Sequence, residues 1–527
     1  MDETANNGNK KQGLSKKVIA ILVVALVIIG GSVAAYALMT GSAKAQYFLA
    51  EKNTIEFIGE QLEERYQPEF DWAKQASENP TETAIELSAE YNGPPAMGMP
   101  VNPQILNNAT IDLTTQLDQQ ESELSTDVQV NFGGLAINDI SVYMNADDLM
   151  LQLPFLQKTI KITDKGLSEL LKESGPTING ELDFNTFFKS MNGALSEEDR
   201  KYIKEEYLTF IYEQLPKDAF QSAEETVKVQ DKSIDAKKIT MQLSEKQVKN
   251  MITSVLEKMK KDDKLKGMIK DQIKMQQFGT LSAGTMANPV QNAMENFDKS
   301  LEEAIKGVKV FQIPDGLTSE IWVSEDLIVK RNVEISMAPK DAEPAALNLN
   351  GTQLLTDKSQ KVDYTATVTD PAIGEESTLN ITANLSNKDN KVDDSISLSG
   401  GNTKITYNGS STLEEGTREF ERTLSIEGAG TFIWSGEATY NNDKMSSENN
   451  LTMESPDLQQ DMISLQIDKE AKTIKKVDQP DNSNVKDISE MSTVEIQRYI
   501  QQEVRPHFQK WIMEIMGAPV PGETQGF

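Results

Sequence analysis

The stretch Leu379-Asn-Ile-Thr-Ala-Asn-Leu385 places an apolar residue at every second position and a polar one between. Because successive side chains of a β-strand point to opposite faces, this alternation predicts a strand with one apolar and one polar face. Turn-forming residues separate similar stretches on both sides, for example Asn387–Lys391, Asn408-Gly409 and Asn441–Lys444. The sequence therefore predicts a large antiparallel meander over residues 311–491. Since a large twisted sheet tends to curl, we expect it to be strongly curved and half-barrel-like.

The apolar positions that define the strands of this meander recur at a spacing of two. They are Leu327/Val329/Val333/Ile335/Met337, Val362/Tyr364/Ala366/Val368, Leu379/Ile381/Ala383/Leu385, Ile396/Leu398, Ile405/Tyr407, Leu424/Ile426, Phe432/Trp434 and Ile463/Leu465/Ile467.

A first sheet-and-helix unit is predicted over residues 81–310. Its strands begin with Ile85/Leu87/Ala89/Tyr91 and continue with Ile111/Leu113/Thr115/Leu117, Val128/Val130/Phe132, Ile140/Val142/Met144 and Leu149/Leu151/Leu153. The proline-rich stretch Asn92–Pro103 is predicted as an exposed loop, in preference to a partner contact through its methionines. Leu167–Val310 forms a mainly helical insertion, in which Ser244-Glu-Lys-Gln247 is a capping box and Asn288-Pro289 begins another helix.

A C-terminal amphipathic helix and tail occupy residues 492–527. Ser492-Thr-Val-Glu495 is a second capping box, and Gly517 ends the helix. We expect its apolar stripe to pack on the concave face of a sheet, in preference to an exposed partner-binding role.

The stretch Val18–Met39 is 22 residues long and carries no charge. As a helix it would span roughly 33 Å, enough to cross a bilayer core of about 30 Å. Four lysines precede it, so residues 1–17 are predicted to be cytoplasmic and the large C-terminal part extracellular. A cleaved signal peptide, with a site at Ala43-Lys44-Ala45, is the alternative that the sequence leaves open. Residues 40–80 are predicted as a juxtamembrane helix, broken at Pro68.

Composition excludes several classes of chemistry. The chain of 527 residues contains no cysteine, which removes disulfides, thiol catalysis and thiolate metal sites. Its formal net charge of −30 makes nucleic acid an unfavourable partner, because both surfaces are anionic. An acidic, cysteine-free extracytoplasmic protein is typical of a bacterial cell envelope.

No catalytic constellation is found in the sequence. His507 is the only histidine, so neither a multi-histidine metal site nor a histidine-based triad is credible. Asn387–Asp394 and Asp481–Asp487 contain oxygen ligands but lack the glycine and glutamate of a calcium loop, so plain turns are predicted. We therefore predict no enzyme, no catalytic, cofactor-binding or metal residues, and no cofactor.

The segments Ile234–Val248 and Leu317–Val329 carry a resemblance to known proteins. With the order of anchor, helix and meanders, they resemble uncharacterised single-pass membrane-anchored surface proteins of Gram-positive bacteria. The ectodomain is remotely similar to half-barrel carriers of bacterial envelopes, LolA-like and LppX-like, in which a curved sheet encloses an apolar cavity. The resemblance implies an α+β fold: an N-terminal transmembrane helix, and an ectodomain of curved antiparallel meander sheets packed with amphipathic helices.

The function predicted from these observations is a membrane-anchored extracytoplasmic binding protein. A lipid-like or envelope ligand would lie in a half-barrel cavity, which Met251, Met259, Met268 and Met294 could line, although core packing of these methionines is favoured. The alternative is a structural or regulatory interaction module at the cell surface, and the third is a carboxylate-dependent hydrolase. The predicted partners are the membrane, through Val18–Met39, and a lipid-like or envelope-protein partner; the sequence does not indicate an oligomeric state.

Overall fold

The computed structural model describes residues 41–93, 107–173, 184–191, 196–280, 289–339, 342–371, 375–456, 458–459 and 462–515. The predicted span Val18–Met39 and the loop methionines Met97 and Met99 lie outside these described residues.

The described helices fall into three groups along the chain: two at the start, a set between residues 164 and 310, and a C-terminal set. They are α1 Ala43–Arg65, α2 Gln67–Glu78, α3 Asp164–Glu173, α4 Phe184–Met191, α5 Glu197–Ile203, a π-helical turn Lys204–Leu208, α6 Thr209–Gln214, α7 Glu245–Lys261, α8 Asp263–Thr280, α9 Pro289–Val310, α10 Thr493–Tyr499, a π-helical turn Ile500–Val504 and α11 Arg505–Ile515. Short 3-10 turns lie at Lys217–Ala219 and Asn482–Asn484.

The strands are long and mostly joined by tight turns. They are β1 Thr81–Tyr91, β2 Thr110–Asp118, β3 Glu123–Phe132, β4 Leu135–Met144, β5 Asp148–Gln152, β6 Thr159–Thr163, β7 Phe220–Val229, β8 Lys232–Leu243, β9 Phe311–Gln312, β10 Leu317–Ser324, β11 Leu327–Pro339, β12 Ala345–Thr356, β13 Ser359–Asp370, β14 Glu375–Lys388, β15 Lys391–Gly400, β16 Thr403–Glu414, β17 Thr417–Ile426, β18 Gly430–Asn441, β19 Lys444–Glu454, β20 Ile463–Thr473 and β21 Val485–Asp487.

All of these strands belong to one 21-stranded sheet. From one edge the order is β7, β8, β10, then β11 to β20 in sequence, then β1 to β6 and β21, with β9 beside the end of β11. Every neighbour pair is antiparallel except β6 with β21. Two pairings join distant parts of the chain: Leu317 of β10 lies opposite Leu243 of β8, and Leu87 of β1 lies opposite Ile467 of β20.

This topology corrects the predicted fold class. An α+β protein with curved meander sheets in a half-barrel-like arrangement is wrong, because a single continuous sheet organises the described residues. Strands from the predicted unit 81–310 and from the predicted meander 311–491 hydrogen-bond directly to each other within it. Among the described helices, none is long and apolar enough to cross a membrane.

The main hydrophobic core lies where helices α1, α7 and α9 pack against β8, β10 and β11. Tyr47 and Phe48 of α1 are 1% and 0% exposed and contact Phe220 edge-on or tilted, with ring centroids 5.6 and 6.1 Å away. The core continues through Met251 of α7 and Leu301 of α9. Apolar residues at helical spacing therefore fix α1 at one end of the sheet.

Helix starts follow the sequence signals closely. The predicted capping boxes of Ser244 with Gln247 at α7 and Ser492 with Glu495 at α10 are formed. Ser196-Glu-Glu-Asp199, which resembles a capping box in sequence, gives only a single cap at α5, where Ser196 Oγ accepts from Asp199 N–H. The predicted juxtamembrane helix is interrupted at Tyr66, and Pro68 stands in the first turn of α2. A proline there costs no intrahelical hydrogen bond, which is why the break falls two residues before it.

Candidate binding face

One face of the sheet is apolar across most of its strands. Cross-strand partners share a face, so a row can be followed from Tyr407 on β16 to Leu424, Phe432 and Met453 on the next three strands. Thr423, the neighbour of Leu424, belongs to the opposite, polar face. We call the side that carries Leu424 the apolar face. The strand pairings place Leu87 of β1 and Val128 of β3 on this same face.

Much of the apolar face is open to solvent. Twelve of its large apolar residues are between 37% and 50% exposed: Ile111, Phe132, Leu135, Val368, Leu379, Leu398, Leu424, Ile426, Phe432, Met453, Ile463 and Leu465. They extend over the strands from β13 to β4, which corresponds to roughly 50 Å at about 4.8 Å per strand. A monomeric soluble protein rarely leaves so long an apolar surface uncovered, so this face is the candidate binding site.

Helices α1 and α2 cover the polar margin of the same face through buried ion pairs. Glu51, 2% exposed, accepts two hydrogen bonds from Arg331 of β11, at 2.7 Å (Nη1–Oε1) and 2.5 Å (Nη2–Oε2). Arg65 donates to Asp394 of β15 at 2.5 Å and also to Gln360. These contacts fix the two helices over one side of the face and leave the rest open.

Arg418 of β17 is the most enclosed of these charges, at 1% exposed. Its Nε donates to Glu69 Oε1 at 2.5 Å, its Nη1 to Ser411 Oγ at 3.0 Å and its Nη2 to the Arg65 carbonyl oxygen at 2.8 Å. All three nitrogens of this guanidinium therefore have acceptors, as a buried arginine requires.

The electrostatics of this margin reflect its burial. Burial raises the pKa of Asp394, and the neighbouring Arg65 offsets only part of that effect. Burial also raises the pKa of Tyr66, with the Asp394 carboxylate adding to it. Both groups are therefore partly withdrawn from water.

Arg422 lies between the covered margin and the open part of the face. It stands opposite Gly409 on one side and Trp434 on the other, two positions from Leu424. Its guanidinium carbon lies 4.6, 4.8 and 5.6 Å from the ring centroids of Trp434, Phe420 and Tyr66. The arginine is thus held among three aromatic rings.

The polar face carries shallow, acidic depressions. One of about 960 Å³ is lined by residues that include Glu421, Glu437, Asp468 and Lys391. Another, of about 390 Å³, includes Glu86 and Asp112. In the part of the chain that the structure describes, no group of three or more His, Asp or Glu side chains is placed to hold a metal ion.

The methionines named from the sequence line no open cavity in the main core. Met251 is 5% exposed within that core, and Met259 packs against it. Met251 and Met259 are therefore core packing, as the sequence favoured, whereas Met268 and Met294 are half-buried.

The single histidine is a helix residue without converging partners in the described residues. Nδ1 of His507 lies 2.6 Å from the Glu503 carbonyl oxygen one helical turn earlier. The adjacent Phe508 is 43% exposed and contacts Phe155 and Trp511. No residue of α10 or α11 is fully buried, although Tyr499, Trp511 and Ile512 are half-buried, so the expected packing of this helix on a concave sheet face stays a prediction.

The stretches considered as calcium loops form turns. Asp389 and Asn390 adopt positive φ between β14 and β15, and Asp394 is engaged by Arg65. Asp481 accepts a hydrogen bond from Ser483 N–H at 2.8 Å at the start of a 3-10 turn.

The alternative cleavage site, Ala43-Lys44-Ala45, forms the first turn of α1, where Lys44 Nζ donates to the Leu215 carbonyl oxygen at 2.5 Å.

Sequence reasoning missed the candidate site because it predicted the face but not its exposure. The alternating positions Leu424/Ile426, Phe432/Trp434 and Ile463/Leu465 are all on the apolar face, as predicted. Alternation indicates a side that avoids water, but it does not reveal whether a second layer covers that side.

Comparison with known proteins gives little beyond distant structural likeness. No family model matches the chain, and no curated protein matches it. Solved structures with some likeness include the Pseudomonas aeruginosa proteins OccK3 (OpdO) and OpdQ, at 6% and 7% identity and TM-scores of 0.23. Each match covers 75% of this chain; it covers 94% of the OccK3 (OpdO) chain and 97% of the OpdQ chain. The outer membrane protein opdK from the same organism has 4% identity and a TM-score of 0.21, over 75% of this chain and 98% of its own. At these scores the likeness supports no argument about function.

These findings correct the predicted function and localisation. A ligand enclosed in a half-barrel cavity is wrong, because the architecture on which it depended is replaced by one continuous sheet with an open apolar face. The single-pass localisation, with a cytoplasmic N-terminus and an extracellular C-terminal part, receives no support from any described helix. The anchored binding protein, the cell-surface module and the hydrolase are therefore not carried forward.

Proposed function

We propose that this protein binds acyl chains of lipids along the apolar face of its sheet. The single observation that carries the proposal is the set of twelve large apolar residues, 37% to 50% exposed, that extends across the strands from β13 to β4. Covering such a surface is favourable at about 25 cal/mol per Å² of apolar area. For Phe432, 41% exposed, this corresponds to about 80 Å² and about 2 kcal/mol.

The composition of the exposed set favours acyl chains over a protein partner. Ten of the twelve residues are Ile, Leu, Val or Met, and the other two are phenylalanines. Protein interfaces concentrate their binding energy in Trp, Tyr and Arg. The residues of these types on the apolar face, Tyr407, Trp434 and Arg422, are half-buried and do not belong to the exposed set. A hydrocarbon chain makes no hydrogen bonds, so a long aliphatic surface suits it.

The proposed role is binding, without catalysis. The described residues contain neither a cluster able to hold a metal nor any partner that would make His507 a base. The tight ion pairs of Glu51, Arg65 and Arg418 hold helices on the sheet. A rigid scaffold under an apolar surface is what passive binding needs.

The proposal is tested with the full chain and the fluorescent fatty acid cis-parinaric acid. Leu424→Asp puts a carboxylate on the apolar face, whereas Thr423→Asp places the same group one residue away on the polar face. We expect Leu424→Asp to weaken binding about tenfold or more, because a carboxylate would have to be covered by the acyl chain. Thr423→Asp should leave the affinity within about twofold.

Two results would contradict the proposal. The first is equal affinity of both variants and the wild type, which would place the fatty acid elsewhere. The second is that the lipid-free wild type sediments as a dimer that Leu424→Asp dissociates, which would make a second copy of the chain the occupant of the apolar face.

A further inference from the structure

Within the described part of the chain, Arg422 differs from the other arginines of the apolar face in having no anionic partner. Arg331 is paired with Glu51, and Arg418 with Glu69. Arg65 of α1, which reaches down onto the same face, is paired with Asp394. Among the described residues, neither a carboxylate nor any hydrogen-bond acceptor contacts the Arg422 guanidinium; its contacts are the three aromatic rings.

The ring contacts leave the donors of Arg422 free. A guanidinium carries five N–H donors, and a cation beside an aromatic ring is held by the electrostatic field of the ring and not by a hydrogen bond. An arginine that is held among rings without a hydrogen-bond acceptor has donors available for a planar or tetrahedral anion.

The charge around Arg422 also favours an anion. In the ranges that the structure describes, Arg65 forms an ion pair with Asp394 and Arg418 with Glu69, whereas Arg422 forms none. One positive charge is left over, although the whole chain has a formal net charge of −30. The excess therefore results from a local arrangement and not from a basic surface.

The position of Arg422 relates this charge to the open apolar surface. Leu424 follows two residues later on the same face, about 7 Å along the strand, and Phe432 lies opposite Leu424 on β18. An amphiphile with its hydrocarbon chain over these residues would bring its head group to the guanidinium.

We propose that Arg422 binds the anionic head group, a carboxylate or a phosphate, of an amphiphile whose acyl chain covers the apolar face. This inference rests on the proposed function and adds head-group selectivity to it. The aromatic cage of Tyr66, Phe420 and Trp434 holds the guanidinium in place, and the bound anion supplies the missing acceptors.

The test compares three ligands with one chain length and different head groups: oleate, oleyl phosphate and oleyl alcohol. Their dissociation constants are measured with the full-length wild type and with Arg422→Gln and Arg422→Lys. The wild type should bind at least one anionic ligand about tenfold or more tightly than the alcohol, and the preferred anion distinguishes a carboxylate from a phosphate. Arg422→Gln should remove this preference and leave the affinity for oleyl alcohol within about twofold, while Arg422→Lys should retain part of it.

The outcomes separate the two proposals. If the wild type binds all three ligands equally, or if Arg422→Gln weakens all three equally, the head-group role is wrong while acyl-chain binding stands. If the wild type binds none of the three, both proposals fail. The comparison of ligands on the wild type does not depend on whether the Arg422→Gln variant folds.

Discussion

Glu51 and Arg331 show what a buried ion pair does in this protein. The pair connects α1 to β11 by two hydrogen bonds, and Glu51 is 2% exposed. Two charges taken out of water are tolerated only when each satisfies the other. The pair therefore fixes where α1 lies on the apolar face, and its removal would leave an arginine buried without a partner.

Glu51→Gln should destabilise the protein by about 3–5 kcal/mol, because the Arg331 guanidinium loses its counterion in a buried site. Glu56→Gln is the matched control, since Glu56 forms a partly exposed pair with Lys52 on the same helix and should cost less than about 1 kcal/mol. Urea unfolding of both variants measures the difference. Equal losses would show that the Glu51 pair contributes no more than a surface pair.

Asp262 shows a second kind of polar contact, at the junction of α7 and α8. Tyr202 and Tyr207 donate to its two carboxylate oxygens at 2.9 and 2.7 Å. Burial alone would raise the pKa of Asp262, but hydrogen bonds from Leu265 N–H and the two phenols outweigh it and lower the pKa. Burial is the largest cause that raises the pKa of Tyr202, and the hydrogen bond to Asp262 is the next; together they raise it to about 12.

This contact predicts a loss of stability at alkaline pH. The pKa of the Tyr202 phenol is about 12 in the folded chain, against about 10 in the unfolded chain. The protonated phenol therefore contributes stability that is fully present below pH 10 and is lost as the pH rises towards about 12. The free energy of unfolding of Tyr202→Phe should therefore fall less between pH 9 and pH 11.5 than that of the wild type. Urea unfolding at these pH values is the measurement, and parallel decreases would contradict the assignment.

The secondary-structure elements were largely predictable where alternation was strong. The apolar positions of β1, β14 and β20 match the predicted ones, and the capping boxes of α7 and α10 are formed. β12 and β19 were missed. β19 has Ser447 and Asn449 at positions of the apolar face, and β12 has Gly351 there, opposite Arg331. Strands that face the polar margin lack the alternation by which a strand is recognised.

The C-terminal helices behave differently from α1, although both have apolar stripes. No residue of α10 or α11 is fully buried, whereas Phe48 of α1 is 0% exposed. A stripe on a helix predicts that it can pack on another surface, but not which surface or whether it does so within the same chain.

Removal of residues 492–527 should therefore leave the fold intact. We expect an unchanged circular dichroism spectrum in the strand region and a loss of less than about 2 kcal/mol, mainly from the contact of Phe508 and Trp511 with Phe155. Phe48→Ala is the contrasting variant, with an expected loss of about 3–5 kcal/mol. An unfolded truncated chain would show that these helices complete the core.

At the scale of the whole molecule, the continuous sheet could not be predicted. It depends on pairings between residues far apart in sequence, such as Thr83 with Ala471 and Ile321 with Ile239. Alternation specifies which side of a strand avoids water, but any strand with the same pattern can be its neighbour. The open apolar face arises from the same cause, since its extent depends on how many strands join one sheet.

The apolar face is thus the feature that the whole account depends on. The direct test is photolabelling of the full chain with a fatty acid that carries a diazirine near the methyl end, followed by mass spectrometry of the labelled peptides. The account predicts labels on apolar-face residues of β17 to β20, including Leu424, Phe432, Met453 and Leu465, and weaker labelling in Leu424→Asp than in Thr423→Asp. Labels confined to the polar face or to the helices of the main core would contradict it.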